Sequence, residues 1–328
     1  MQILSTNNLA VTLLLKLNGT RCNMRCEYCY RHVSCPDKND LSTISCSVDE
    51  AINYLTKYID YEHVFIVFHG GEPLLSPVED IERILFYIKN SFKYRVSVQF
   101  QTNGTLLTNE WIDLFAMFGE MLSVSVSLDP LGIKDLRRCN VTDYRELVWK
   151  NIGKVSEKIS NVGIVSVAHR YNVDSFIPFI EKLVSRGIKS LTINKYQSNS
   201  SWQNDPIYIT ESEYVAMQIS IIKYWIASGT YKKLNIQPFN SLFSSNNKLC
   251  IYLPDKNKCS YFHTYYDSNH YCNMCDHIET GHKIDVPDEC NKCSIYNKCG
   301  GGCLAEIKDS TFCDARKRLF DFIAEITK

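Results

Sequence analysis

Three cysteines packed into one short run, Cys22-x3-Cys26-x2-Cys29, constrain this chain more than any other feature. They lie in Asn18-Gly19-Thr20-Arg21-Cys22-Asn23-Met24-Arg25-Cys26-Glu27-Tyr28-Cys29-Tyr30. Three closely spaced thiolates can hold three irons of a [4Fe–4S] cube and leave the fourth iron open. Such cubes ordinarily take four cysteines, so a set of three implies an external ligand on the last iron. The competing readings are a partial zinc site and three unrelated core cysteines. Zinc prefers paired, close-spaced ligands that sum to four, and His32 is the only local candidate for the fourth.

The rest of the cysteines point the same way. The chain has 328 residues, 15 of them Cys, and a formal net charge of +0. A neutral total gives no electrostatic footprint for nucleic acid or an anionic membrane. No apolar run reaches bilayer length, and the N-terminus lacks the basic start and apolar core of a signal peptide. The expectation is therefore a cytoplasmic protein whose thiols serve metal or redox chemistry rather than disulfides. Beyond the first three, nine cysteines fall between Cys250 and Cys313, while Cys35, Cys46 and Cys139 are scattered.

Patterning predicts an α/β chain. Strands are expected at 11–17, 64–68, 97–101, 122–128, 163–168 and 190–194, each apolar on both faces or nearly so, as in a parallel sheet covered by helices. Ser47-x-x-Glu50, Ser76-Pro77-x-Glu79 and Thr210-x-x-Glu213 read as capping boxes that start helices. A helix over 172–185 should stop at Arg186-Gly187, and another should stop at Gly229. Six β-then-α units imply an incomplete, TIM-like (β/α)6 barrel, with chemistry at the C-terminal strand ends. The cluster cysteines follow the first strand. Polar segments suggest a barrel over 1–205, a helical linker over 206–245 and a cysteine-dense domain over 246–328. That last region has little apolar material, so metal ligation is expected to supply part of its folding energy.

The cysteine run, with Tyr28 just before its last cysteine, closely resembles the signature of radical SAM enzymes. After the second strand, Gly70-Gly71-Glu72 resembles the motif with which that family binds the amino group of S-adenosylmethionine. Thr102-Asn103-Gly104, and Ser127 with Asp129 in Ser125-Val126-Ser127-Leu128-Asp129-Pro130, resemble its third and fourth strand-end segments. The resemblance thus implies cofactor contacts from Tyr28, Gly70, Gly71, Glu72, Asn103, Ser127 and Asp129. Arg138 could reach the cofactor carboxylate or be an ordinary solvated arginine. Taken alone, these turns could equally be plain strand-to-helix connections.

Cys290-x2-Cys293-x5-Cys299-x3-Cys303, followed by Cys313, is similar to the SPASM extension of peptide-modifying radical SAM enzymes; a structural zinc ribbon is the alternative. Carried over by pattern, one auxiliary cluster would use Cys250, Cys259, Cys275 and Cys303, with Cys272 competing for the place of Cys275. The other would use Cys290, Cys293, Cys299 and Cys313. His270 stands where that pattern has Gly. Asp276 follows Cys275, as does the general base of anaerobic sulfatase maturases, which the chain also resembles.

The resemblance implies three [4Fe–4S] clusters and reductive cleavage of S-adenosylmethionine. The resulting 5′-deoxyadenosyl radical would take hydrogen from a peptide or protein side chain, or from Cα, with the auxiliary clusters accepting the substrate electron. It further implies a reductant such as flavodoxin or ferredoxin. Because the first strand starts near Val11, no leader-binding domain is expected before it, so a separate protein would present the substrate or recognition would be direct. A radical SAM dehydrogenase or mutase acting on a small molecule, and a non-enzymatic zinc-rich module, stay open at this point.

Overall fold

Six of the expected strands form side by side and in sequence. They are β1 (Ala10–Leu15), β2 (His63–Phe68), β3 (Arg95–Thr102), β4 (Leu122–Ser127), β5 (Val162–Ala168) and β6 (Ser190–Lys195). The computed structural model describes residues 10–29, 45–198, 202–243, 262–272, 288–302 and 308–327. Neighbouring strands from β1 to β6 pair parallel. Parallel pairing requires crossovers, and helices supply them: α1 (Val48–Leu55), α2 (Val78–Ser91), α3 (Asn109–Ala116), α4 (Tyr144–Lys158) and α5 (Phe176–Ser185). This is the expected α/β partial barrel. Among the described residues the sheet is open, in the order β7-β6-β5-β4-β3-β2-β1-β8-β9.

Three short strands escaped the sequence reading. β7 (Asn235–Gln237), inside the segment read as a linker, pairs parallel with β6 and leads into the short helix α7 (Phe239–Phe243). β8 (Phe262–Tyr265) pairs parallel with β1, and β9 (Tyr271–Cys272) folds back antiparallel on β8. The sheet therefore continues across residues 205 and 245. Strands of two to four residues are too short to show a period.

Leu13, Ile66, Val98, Phe100, Val124 and Val126 are buried in the core that the helices cover. Phe65 and Val67 on β2, and Val165 and Val167 on β5, give those strands the expected apolar second face. On β3 and β4 the alternate positions are polar, which corrects the expectation there: Ser97, Gln99 and Gln101, then Ser123, Ser125 and Ser127. Most of these are only half-buried. An unclosed barrel leaves its inner face accessible, so that face need not be apolar.

Helix starts follow local chemistry. Ser47 and Glu50 close a capping box on α1, as do Thr210 and Glu213 on α6 (Glu211–Ala227). Ser76 does not cap α2, whose N-cap is Pro77 with no side-chain bond. The Ser76 hydroxyl instead accepts from Asn18 Nδ2 at 2.9 Å, tying the β2 end to the β1 end. Gly187 and Gly229 take positive φ at 73° and 69°, ending α5 and α6 as expected.

The C-terminal helix α9 (Phe312–Ile326) lies against α6 and buries Phe312, Ala315, Leu319, Phe320 and Ile323. A buried ionic network joins it to the barrel. Lys195 Nζ at the end of β6 lies 3.0 Å from Glu211 Oε2, Arg316 of α9 pairs with Glu211 Oε1, and Asp309 Oδ2 accepts from Tyr208 Oη at 2.7 Å. Two cations and two carboxylates balance there, as burial requires. None of this network was legible in the sequence.

Candidate active site

The loop after β1 is held by backbone bonds from two directions. On one side, the Gly71 N–H donates to Gly19 O at 3.0 Å and the Glu72 N–H donates to Arg21 O at 2.8 Å. On the other, the Arg25 and Glu27 N–H groups donate to Arg138 O and Leu136 O, both at 2.8 Å, and Met24 bridges Cys139 antiparallel. The loop is thus clamped between the end of β2 and the segment following β4. It presents Cys22, Cys26 and Cys29, all half-buried, beyond the C-terminal end of β1. The Cys29 N–H donates to Cys26 O at 3.1 Å, closing the turn between them.

Burial pushes the Cys22 thiol up to about 11, against a backbone N–H bond from Met24. Burial likewise raises Cys26, opposed by the charge of Arg137. Cys26 lies within electrostatic reach of both other thiols. Among the described residues, no three His, Cys, Asp or Glu side chains converge tightly enough for one metal ion. Three free thiols presented by one short loop are the donor set of an iron–sulfur cluster with one open iron.

The glycine pair serves the loop itself. A Cβ on Gly71 would stand 1.7 Å from Arg21 O, and one on Gly70, at φ +115°, would stand 2.8 Å from Gly19 O. The absence of a side chain at both positions allows a close approach between two strand-end loops. Glu72, 1% exposed, is occupied as well. Its Oε1 accepts from Thr102 Oγ1 at 2.7 Å and from the Leu74 N–H at 3.1 Å, and its Oε2 accepts from the Asn103 N–H at 2.7 Å. Burial raises its pKa while these donors oppose the rise. Glu72 therefore ties the end of β2 to the end of β3.

Asn103 reaches the cysteine loop directly. Its Nδ2 donates to Asn23 Oδ1 at 2.7 Å and lies 3.7 Å from Cys22 Sγ, while its Oδ1 accepts from the Thr105 N–H at 2.9 Å. Ser127 is half-buried at the end of β4. Asp129 is buried, accepting from the Val167 N–H at 2.8 Å and from Tyr28 Oη at 2.5 Å. Tyr28 thus contributes its hydroxyl to this network, and its ring lies 5.7 Å from His169. Burial lowers the His169 pKa, which favours the neutral imidazole.

Arg137 was missed. Arg138, its neighbour, pairs with Glu27 and is half-exposed, which matches the solvated reading. Arg137 is only 6% exposed, and its Nη1 donates to Tyr28 Oη at 3.0 Å. Nothing local distinguishes two adjacent arginines; the contacts with Met24 and Tyr28 do.

The second cysteine group is partly described. Cys290 lies in a 3₁₀ turn, Cys299 ends α8 (Tyr296–Cys299), and exposed Cys313 opens α9. Cys290 lies within electrostatic reach of Cys293, Cys299 and Cys313. Cys272 is half-buried on β9. Cys250, Cys259, Cys275, Asp276 and Cys303 lie outside the described residues.

The sequence profile of the radical SAM superfamily matches residues 19–190, from the cysteine loop through β5 to the start of β6. The chain belongs to this superfamily. It is an enzyme family that binds S-adenosylmethionine, and the matched span holds all three loop cysteines. Over 138 residues the chain is 30% identical to a cysteine-type anaerobic sulfatase-maturating enzyme of Clostridium perfringens, covering 40% of this chain and 36% of that relative. The chain thus spans little more than a third of that protein's length. A second such enzyme, from Clostridium novyi, is 22% identical with 95% of both chains covered. Among solved structures, native anSMEcpe with bound AdoMet and Cp18Cys peptide shares the fold. Its TM-score is 0.77 at 15% identity, over 97% of this chain and 99% of that one. Among the described residues, no helix is long and apolar enough to cross a membrane.

Proposed function

We propose that this radical SAM protein is a maturase that modifies a side chain or Cα of a peptide or protein. The observation that carries the reading is the clamped Cys22–Cys26–Cys29 loop at the strand ends, within the span that matches the superfamily. Similarity to sulfatase-maturating enzymes, and to a structure holding both AdoMet and a peptide, supports the choice of substrate class. When bound, an iron–sulfur cluster with S-adenosylmethionine supplies a radical able to take hydrogen from an unreactive carbon.

The chain's own residues bind and orient. Cys22, Cys26 and Cys29 hold three irons. The Gly70–Gly71 backbone, Asn103 and Ser127 line the cofactor's place, while Glu72 and Asp129 fix the loops that carry them. Tyr28 is held by Asp129 and Arg137 against the same wall. The polar inner face of β3 and β4 leaves room for a substrate and offers hydrogen bonds to it.

Cys290, Cys293, Cys299 and Cys313 hold one auxiliary cluster; Cys250, Cys259, Cys275 and Cys303 hold the other. Asp276 is the base that removes the substrate proton. The barrel of 1–205 thereby carries the radical chemistry and the region of 246–328 the electron acceptors. A flavodoxin or ferredoxin supplies the electron, and the peptide is either presented by a separate protein or recognised directly.

The test is anaerobic incubation of reconstituted protein with S-adenosylmethionine, dithionite and peptides encoded beside the gene, followed by mass spectrometry. A defined mass change in one peptide is expected. Formation of 5′-deoxyadenosine with every such peptide left unaltered contradicts the substrate class. Asp276→Asn is expected to keep cofactor cleavage and lose peptide product; retained product removes Asp276 from the mechanism.

A further inference from the structure

We infer that Arg137 sets how readily the cluster on Cys22, Cys26 and Cys29 accepts an electron. The inference rests on the ligation proposed above. Arg137 is a buried cation with incomplete pairing. Its Nη1 donates to Tyr28 Oη, its Nη2 lies 3.7 Å from the weak acceptor Met24 Sδ, and its Nε, also buried, has no hydrogen-bond partner. Asp129 reaches it through the Tyr28 hydroxyl, and among the described residues no carboxylate is recorded in direct ion-pair contact with it.

A buried guanidinium is costly unless an anion offsets it. The anion that fits lies beside it. Arg137 acts electrostatically on Cys26, and Met24, which it touches, lies between Cys22 and Cys26. Three thiolates on a [4Fe–4S]2+ core leave one net negative charge, and uptake of one electron from a reductant makes it two. A fixed cation in a low-dielectric site favours the more negative form. Arg137 would thus favour the reduced form of a cluster held by these cysteines. Asp129, on the far side of Tyr28, works in the opposite sense.

The two charges give the test opposite signs. Full-length, anaerobically reconstituted protein is poised at fixed potentials with dithionite and mediators. The paramagnetic resonance signal that responds to added S-adenosylmethionine is then followed. Arg137→Gln is expected to lower the ratio of reduced to oxidised cluster about tenfold at a given potential, equivalent to about 59 mV for one electron. Asp129→Asn is expected to raise that ratio severalfold. An unshifted Arg137→Gln curve, or shifts of the same sign in both variants, overturns the inference, since structural damage has no reason to reverse sign. Should Arg137→Gln fail to hold iron, Asp129→Asn decides alone: a raised ratio supports the inference and an equal or lowered one overturns it. Unaltered protein with no signal responsive to S-adenosylmethionine refutes the ligation itself, and the inference with it.

Discussion

At the N-terminal site the thiols sit on a loop that backbone bonds clamp to the ends of β2 and β4, above a core of strands and helices. At the C-terminal site they sit on short turns where Gly301 alone is buried across residues 288–302. The first region is held by packing and hydrogen bonds within the protein. The second has little apolar burial to hold it, so under the proposed ligation metal binding would supply part of its folding free energy. The buried Lys195–Glu211–Asp309–Arg316 network ties α9 to the barrel between these two regions of the sequence.

Removing iron by chelation breaks this comparison most severely. Hydrogen exchange at the Cys293, Tyr296, Cys299 and Gly302 amides, which close the C-terminal turns, is expected to accelerate at least about a hundredfold. Amides of β1 to β4 are expected to keep their protection. Equal acceleration in both regions contradicts the contrast. Gly71→Ala attacks the first region. Its new Cβ meets Arg21 O, a backbone atom that cannot step aside, so a loss of about 4 kcal/mol or more is expected in thermal or denaturant unfolding. Glu72→Gln is gentler. The amide replaces one acceptor oxygen with a donor that faces Asn103 N–H or Thr102 Oγ1, at a cost of about 1–3 kcal/mol. Unchanged stability in Glu72→Gln shows that the carboxylate is not what joins β2 to β3.

Much of this architecture was legible because its signals are local. Six buried parallel strands write themselves as short β-branched runs, and the closely spaced thiols at 22–29 need no tertiary knowledge to be noticed. The polar face of β4 is also legible, in Ser123-Val124-Ser125-Val126-Ser127, and conflicts with the expectation of strands covered by helices on both sides. Other features have no local signal. Arg137 and Arg138 are indistinguishable until the fold buries one beside Met24 and leaves the other on Glu27. The role of Glu72 depends on donors from residues 102 and 103, and the buried ionic network on residues more than a hundred positions apart. Motif spacing finds residues that meet a cofactor; it does not find those that hold such residues in place.

If the N-terminal loop alone carries the reductive chemistry, Cys26→Ala and Cys290→Ala must part after anaerobic reconstitution, when 5′-deoxyadenosine released from S-adenosylmethionine is measured under dithionite. No release is expected from Cys26→Ala and sustained release from Cys290→Ala, even where peptide product is lost. Release from Cys26→Ala at the unaltered protein's rate contradicts it.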